Sequence, residues 1–79
     1  MYKVWFGEEP KTAKCIAESD TRKGAGLSMY QYLQNLGITP PYWRSWKNDD
    51  GYEVLDFGSW TQFFYVETIG TPTEERNDA

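Results

Sequence analysis

Short runs of strand-favouring residues, alternating only loosely, recur along the chain, and a helical period appears in only one stretch, so a sheet with a single helix is predicted. Tyr2 to Phe6 is rich in strand-favouring side chains and stops at Gly7, with Glu8, Glu9 and Pro10 as turn material. Thr12 to Glu18 alternates, which places Ala13, Cys15 and Ala17 on an inner face and Thr12, Lys14, Ile16 and Glu18 on the outer one. The two strands are predicted to pair as a hairpin. Their small inner residues would leave room for a helix packed close to the sheet.

Ser19, Asp20 and Thr21 are candidate N-caps, but a helix starting there must run through Gly24 and Gly26, each of which costs about 1 kcal/mol relative to Ala. Ser28-Met-Tyr-Gln31 fits a capping box, so the helix is predicted to be firm from Ser28 onward. Met29, Leu33 and Leu36 then share one face, with Tyr32 beside them. Gly37 stands where a left-handed cap residue is wanted, Ile38 can pack back onto Leu33, and Pro40-Pro41 forbids continuation.

Three strand-like runs follow: Tyr42 to Lys47, Tyr52 to Phe57, and Thr61 to Glu67. Asn48-Asp-Asp-Gly51 is a hairpin turn between the first two, with Gly51 supplying positive φ, and Gly58-Ser59 separates the second from the third. The order ββαβββ with short connections predicts a single α+β domain over residues 1–67, a small antiparallel sheet with one helix packed on one face. Residues 68–79, dominated by Thr, Gly, Pro, Glu, Asn and Asp, are predicted to form a disordered acidic tail.

Composition sharpens the picture. The chain holds six Tyr, four Trp and four Phe among 79 residues, and no His. A domain of this size only just offsets its folding entropy, and aromatic side chains, each burying roughly 150 to 250 Å², are one remedy. Without imidazole the easiest route to general acid-base catalysis or metal ligation is missing, so no enzyme, cofactor or metal is expected. Cys15 is the single cysteine. That excludes an intrachain disulfide and suits a reducing cytoplasm; with Ala13, Ile16 and Ala17 around it, Cys15 reads as a packed thiol. No apolar run is long enough to span a bilayer, and the first residues read as a strand rather than a signal peptide, so a cytoplasmic protein is expected.

Twelve acidic and eight basic residues give a net charge of −4. Binding to duplex nucleic acid rests on neutralising phosphates and is disfavoured. The charges are uneven: Lys11, Lys14, Arg22 and Lys23 lie early, whereas Asp49, Asp50, Glu53 and Asp56 cluster past the middle. Such a cluster is either a solvated surface or an acidic face offered to a basic partner.

The closing strands carry the candidate sites. Tyr42, Arg44 and Trp46 fall on one face of their strand and Trp43, Ser45 and Lys47 on the other, while Phe63 and Tyr65 oppose Phe64 and Val66. A helix on one side cannot hide aromatics on both, so a contact surface is expected among Tyr42, Trp43, Trp46, Trp60 and Tyr65, with Asp49, Asp50 and Glu53 facing a protein partner of basic character. A second copy of the chain covering the other face is a structural alternative. A nucleotide or single-stranded nucleic acid site is another, with Trp43 or Trp46 stacking a base and Arg44 or Lys47 meeting phosphate. The acidic turn lacks calcium-loop spacing, and Gly24-Ala-Gly26 lacks the Lys-Ser/Thr pair of a phosphate loop.

The opening strand Tyr2-Lys-Val-Trp-Phe6, the single helix, and the closing strand pair within Tyr52 to Val66 together resemble the small proteins encoded by bacteriophages and prophages of Gram-positive bacteria. Anti-CRISPR and other host-takeover factors belong to that group. The resemblance implies a stoichiometric inhibitor that occupies a site on a host protein, in the host cytoplasm, and it assigns no residue roles.

Overall fold

A computed structural model describes residues 1–69. Five strands and one helix follow the order β1 (Tyr2–Gly7), β2 (Lys14–Ser19), α1 (Arg22–Asn35), β3 (Arg44–Lys47), β4 (Glu53–Asp56) and β5 (Phe63–Thr68). All the strand pairs are antiparallel, and the sheet order is β2-β1-β5-β4-β3. The predicted α+β architecture is therefore the observed one. β5 runs one residue beyond Glu67, and the Ile69 N–H donates to the Met1 carbonyl at 2.8 Å. The rest of the expected tail lies outside the described residues.

Two departures from the sequence expectation share a local cause. The register of β1 on β2 slips between Val4 and Trp5, where Val4 faces Ala17 but Trp5 faces Cys15. Ile16 is the extra residue of this β-bulge, and a bulge turns successive side chains to the same side. Ile16 and Ala17 thus both pack against the core, while Cys15 is exposed. Ala17 is inward as expected, whereas Cys15, expected inward as a packed thiol, is exposed, and Ile16, expected on the outer face, joins the core.

The helix starts earlier than the capping box suggests. Thr21 is the N-cap, its hydroxyl accepting from the Gly24 N–H at 3.0 Å, and Ser28 lies inside the helix with its Oγ donating to the Gly24 carbonyl at 3.0 Å. Gly24 has a steric purpose here: a Cβ built on it would stand 2.1 Å from Ser19 Oγ at the end of β2. The buried helix positions are Ala25, Met29 and Leu33; Leu36, expected among them, is the C-cap and is exposed. The helix ends as predicted, with Gly37 at φ 76° and the Ile38 N–H closing onto the Leu33 carbonyl at 2.9 Å.

The core lies between α1 and one face of the sheet. Val4, Leu55, Phe57, Phe64 and Val66 meet Ala25, Met29 and Leu33, with Phe6 and Tyr32 packed at the margin. Five strands about 4.8 Å apart span roughly 19 Å, whereas a helix is about 10 Å across, so one helix covers about half of one face. α1 packs over β1 and β2. The β4–β3 end is left to other side chains on both faces.

Two ion pairs tie that end down. Arg22, in the first turn of α1, makes a bidentate pair with Glu53 of β4 at 2.9 and 3.0 Å, and Arg44 of β3 reaches Asp56 of β4 at 2.7 Å. The hydrogen bond from Arg22 holds the Glu53 carboxyl below its ordinary range against the opposing effect of burial, and the bond from Arg44, helped by the Gly58 N–H, does the same for Asp56. A depressed carboxylate contributes stability above its unfolded pKa, and that stability is lost as pH falls through the folded value. Stability is therefore expected to fall below about pH 4. Glu53→Gln should flatten that fall when urea midpoints are compared across the acid range.

Candidate binding surface

Pairing and ring contacts separate the late aromatics into two sets. Trp46 stands opposite Val54 in the β3–β4 ladder, and Val54 stands opposite Tyr65 in β4–β5. These residues, with Trp5, Phe63 and Tyr52, share the face turned away from α1, hereafter the open face. Trp46 meets Phe63 edge-on at 6.4 Å, Phe63 meets Tyr65 at 6.4 Å, and Tyr52 meets Tyr65 at 6.5 Å. Trp43 lies on the helix face, its ring 6.1 Å from both Phe57 and Phe64. The alternation read from Tyr42 to Lys47 is thus the one observed.

The open face partly roofs itself. Val54 is 4% exposed and Tyr65 5%, although no helix lies over them. The Tyr65 hydroxyl donates to the Glu8 carbonyl at 2.9 Å, so the β1–β2 turn anchors the ring; burial, with Glu9 nearby, pushes its phenol up from the ordinary value. Trp5 donates through Nε1 to Glu67 at 3.1 Å. Tyr65, expected at the contact surface, is therefore a structural member of an aromatic layer.

Exposed apolar side chains lie mainly in two places: Leu27, Tyr30 and Leu36 on the helix, and the aromatics of the β3–β4 hairpin with the segment leading to it. Tyr42, Trp43 and Trp46 are each 40 to 47% exposed, and all four residues of β3 are exposed. The turn beyond β3 is held by Asn48, whose Oδ1 accepts from the N–H groups of Asp50 and Tyr52 at 3.0 and 2.9 Å, with Gly51 at φ 87°. That geometry puts the exposed Asp49 and Asp50 at the tip. Glu53 faces α1 and is bound to Arg22, so it is not part of the tip's free charge. Trp60 stands 97% exposed in the β4–β5 connection.

The nucleotide alternative fares differently. Arg44 and Trp46 share the open face, but Arg44 is held by Asp56 and lies over the Tyr42 ring at 5.4 Å. Trp43 and Lys47 occupy the helix face. Each face thus holds one indole and one cation, Trp46 with Arg44 and Trp43 with Lys47, and the four residues do not form one site. Trp43 instead walls an open apolar groove of about 370 Å³ with Leu27, Tyr30 and Leu55.

Sequence reasoning placed Phe63 on one face with Tyr65 but missed Trp5 and Tyr52 as members of the aromatic layer. The strand order reveals them, because β5 takes β4 on one side and, on the other, β1, which is distant in sequence. Among the described residues no group of three or more His, Cys, Asp or Glu side chains is arranged to hold a metal ion, and no helix is long and apolar enough to cross a membrane. Against known protein families, curated proteins and solved structures, the chain finds no match.

Proposed function

We propose that the protein is a non-enzymatic binding module that engages a protein partner of basic character through the β3–β4 hairpin. The observation that carries this reading is the juxtaposition, on one exposed hairpin, of Tyr42 and Trp46 with the exposed carboxylates of Asp49 and Asp50. Aromatic side chains supply contact area at small entropic cost, and a carboxylate tip steers a Lys- or Arg-rich surface toward them. Arg44, neutralised by Asp56, adds no net repulsion. Among the described residues, the two carboxylates with shifted pKa are both stabilised as anions by arginine, which is the reverse of what a general acid needs. The resemblance to phage-encoded host-takeover factors supports a stoichiometric inhibitor as the form such a module takes.

The test is capture from nuclease-treated bacterial lysate with the wild type beside Trp46→Ala and the double charge reversal Asp49→Lys, Asp50→Lys. Trp46→Ala is expected to weaken partner retention by about 30-fold or more, as a central aromatic anchor does. The charge reversal should act most strongly at low salt. Both variants are expected to keep the wild-type far-ultraviolet dichroism. Equal retention by all three proteins would count against the hairpin.

A further inference from the structure

The two edges of the sheet differ. β2 carries the Ile16 bulge, a feature that blunts an edge against further pairing, whereas β3 pairs with β4 in unbroken register and is exposed along its whole length. The phase of its free backbone groups follows from the turn. The Asn48 N–H bonds the Tyr52 carbonyl at 3.0 Å, so by alternation Trp46 and Arg44 also direct their backbone groups toward β4. Ser45 and Lys47 point theirs outward, and Trp43, one residue ahead of the strand, continues that series.

From this edge we infer that β3 pairs antiparallel with β3 of a second copy, about a two-fold axis at Ser45. Outward backbone groups must meet outward ones, and each sheet face must continue as itself, which leaves only registers that shift by two residues. Centring on Ser45 sets Ser45 against Ser45 of the second copy, the smallest side chain at the crowded axis. On the open face Arg44 then stands opposite Trp46, and on the helix face Lys47 stands opposite Trp43, each pair occurring twice. Directly opposed side chains are about 5 Å apart at Cβ, within the reach of a cation over an indole ring. The neighbouring register centred on Arg44 would oppose two guanidinium groups. The one centred on Trp46 would set Lys47 against Ser45 and forgo all four cation–aromatic pairs.

The resulting ten-stranded sheet covers neither face further and merges the two open faces into one. This inference does not rest on the partner reading, since it is decided by the mass and the amide protection of the isolated protein. Sedimentation of the full chain over a wide dilution series is expected to show a reversible monomer–dimer equilibrium. Amide hydrogen exchange should slow at Trp43, Ser45 and Lys47 only in the dimer. Ser45→Pro removes an outward N–H and no bond to β4, and is expected to weaken dimerisation by about tenfold or more. Should that variant lose its fold, the wild-type exchange pattern still decides. A monomer at every concentration, or a dimer in which the Ser45 and Lys47 amides exchange unchanged, would overturn the inference.

Discussion

Replacing Phe64 with alanine is expected to leave most of the protein unfolded at room temperature. Phe64 is fully buried, and four aromatic rings surround it: Phe6 at 5.1 Å, Phe57 at 5.3 Å, and Tyr32 and Trp43 both at 6.1 Å. It lies on β5, the central strand, between the helix and the β3–β4 end. Truncating such a ring costs about 3 to 5 kcal/mol because the surroundings collapse only in part. A single core in a domain this small rarely supplies more than about 3 to 5 kcal/mol, so little or nothing is left. Urea titrations followed by near-ultraviolet dichroism measure the loss. Trp60→Ala is the matching control: its side chain is 97% exposed, and a change within about 0.5 kcal/mol is expected. A loss at Phe64 of under about 1 kcal/mol would mean that the core is not centred there.

Gly58→Ala should be the costliest of the turn-glycine substitutions. Gly37, Gly51 and Gly58 all have positive φ, at 76°, 87° and 95°. An alanine in this region costs about 1 to 2 kcal/mol at any of the three. A Cβ at Gly37 or Gly51 meets nothing within 4 Å, but at Gly58 it stands 2.7 Å from Pro41 Cγ and 2.9 Å from Cδ. The proline ring has little freedom to yield, and relieving the overlap adds about 1 to 3 kcal/mol. The denaturant midpoint is therefore expected to fall furthest for Gly58→Ala, with Gly37→Ala and Gly51→Ala grouped nearer the wild type. Equal losses at all three would show that the approach of Pro41 to the β4–β5 turn has been misplaced. That contact matters to the candidate site because Pro41 leads into Tyr42 and Trp43.

The fold was legible where local chemistry acts alone. Gly37 followed by two prolines marked the helix end, Asn48 to Gly51 marked the hairpin, and period-two alternation assigned Tyr42, Arg44 and Trp46 to one face. The misreadings came from tertiary context. Ser28 had a good capping pattern but stands in mid-helix, because Gly24 allows the first turn to lie against Ser19, which no local propensity expresses. Cys15 was assigned inward because a bulge of one residue reverses the alternation without altering composition. The candidate site was half legible for the same reason. Tyr42, Trp43, Trp46, Asp49 and Asp50 are near neighbours in sequence and remain together on the hairpin, whereas Glu53 is claimed by Arg22 and Tyr65 by Glu8.

The proposed role of the hairpin is tested most directly by hydrogen exchange with mass readout on the wild-type protein, free and bound to the partner recovered by capture. Bound-state protection is expected over residues 42–50, together with slower exchange in the facing segment of β4, and with little change in α1 or β2. Protection confined to α1 or β2, with residues 42–50 exchanging as in the free protein, would contradict it.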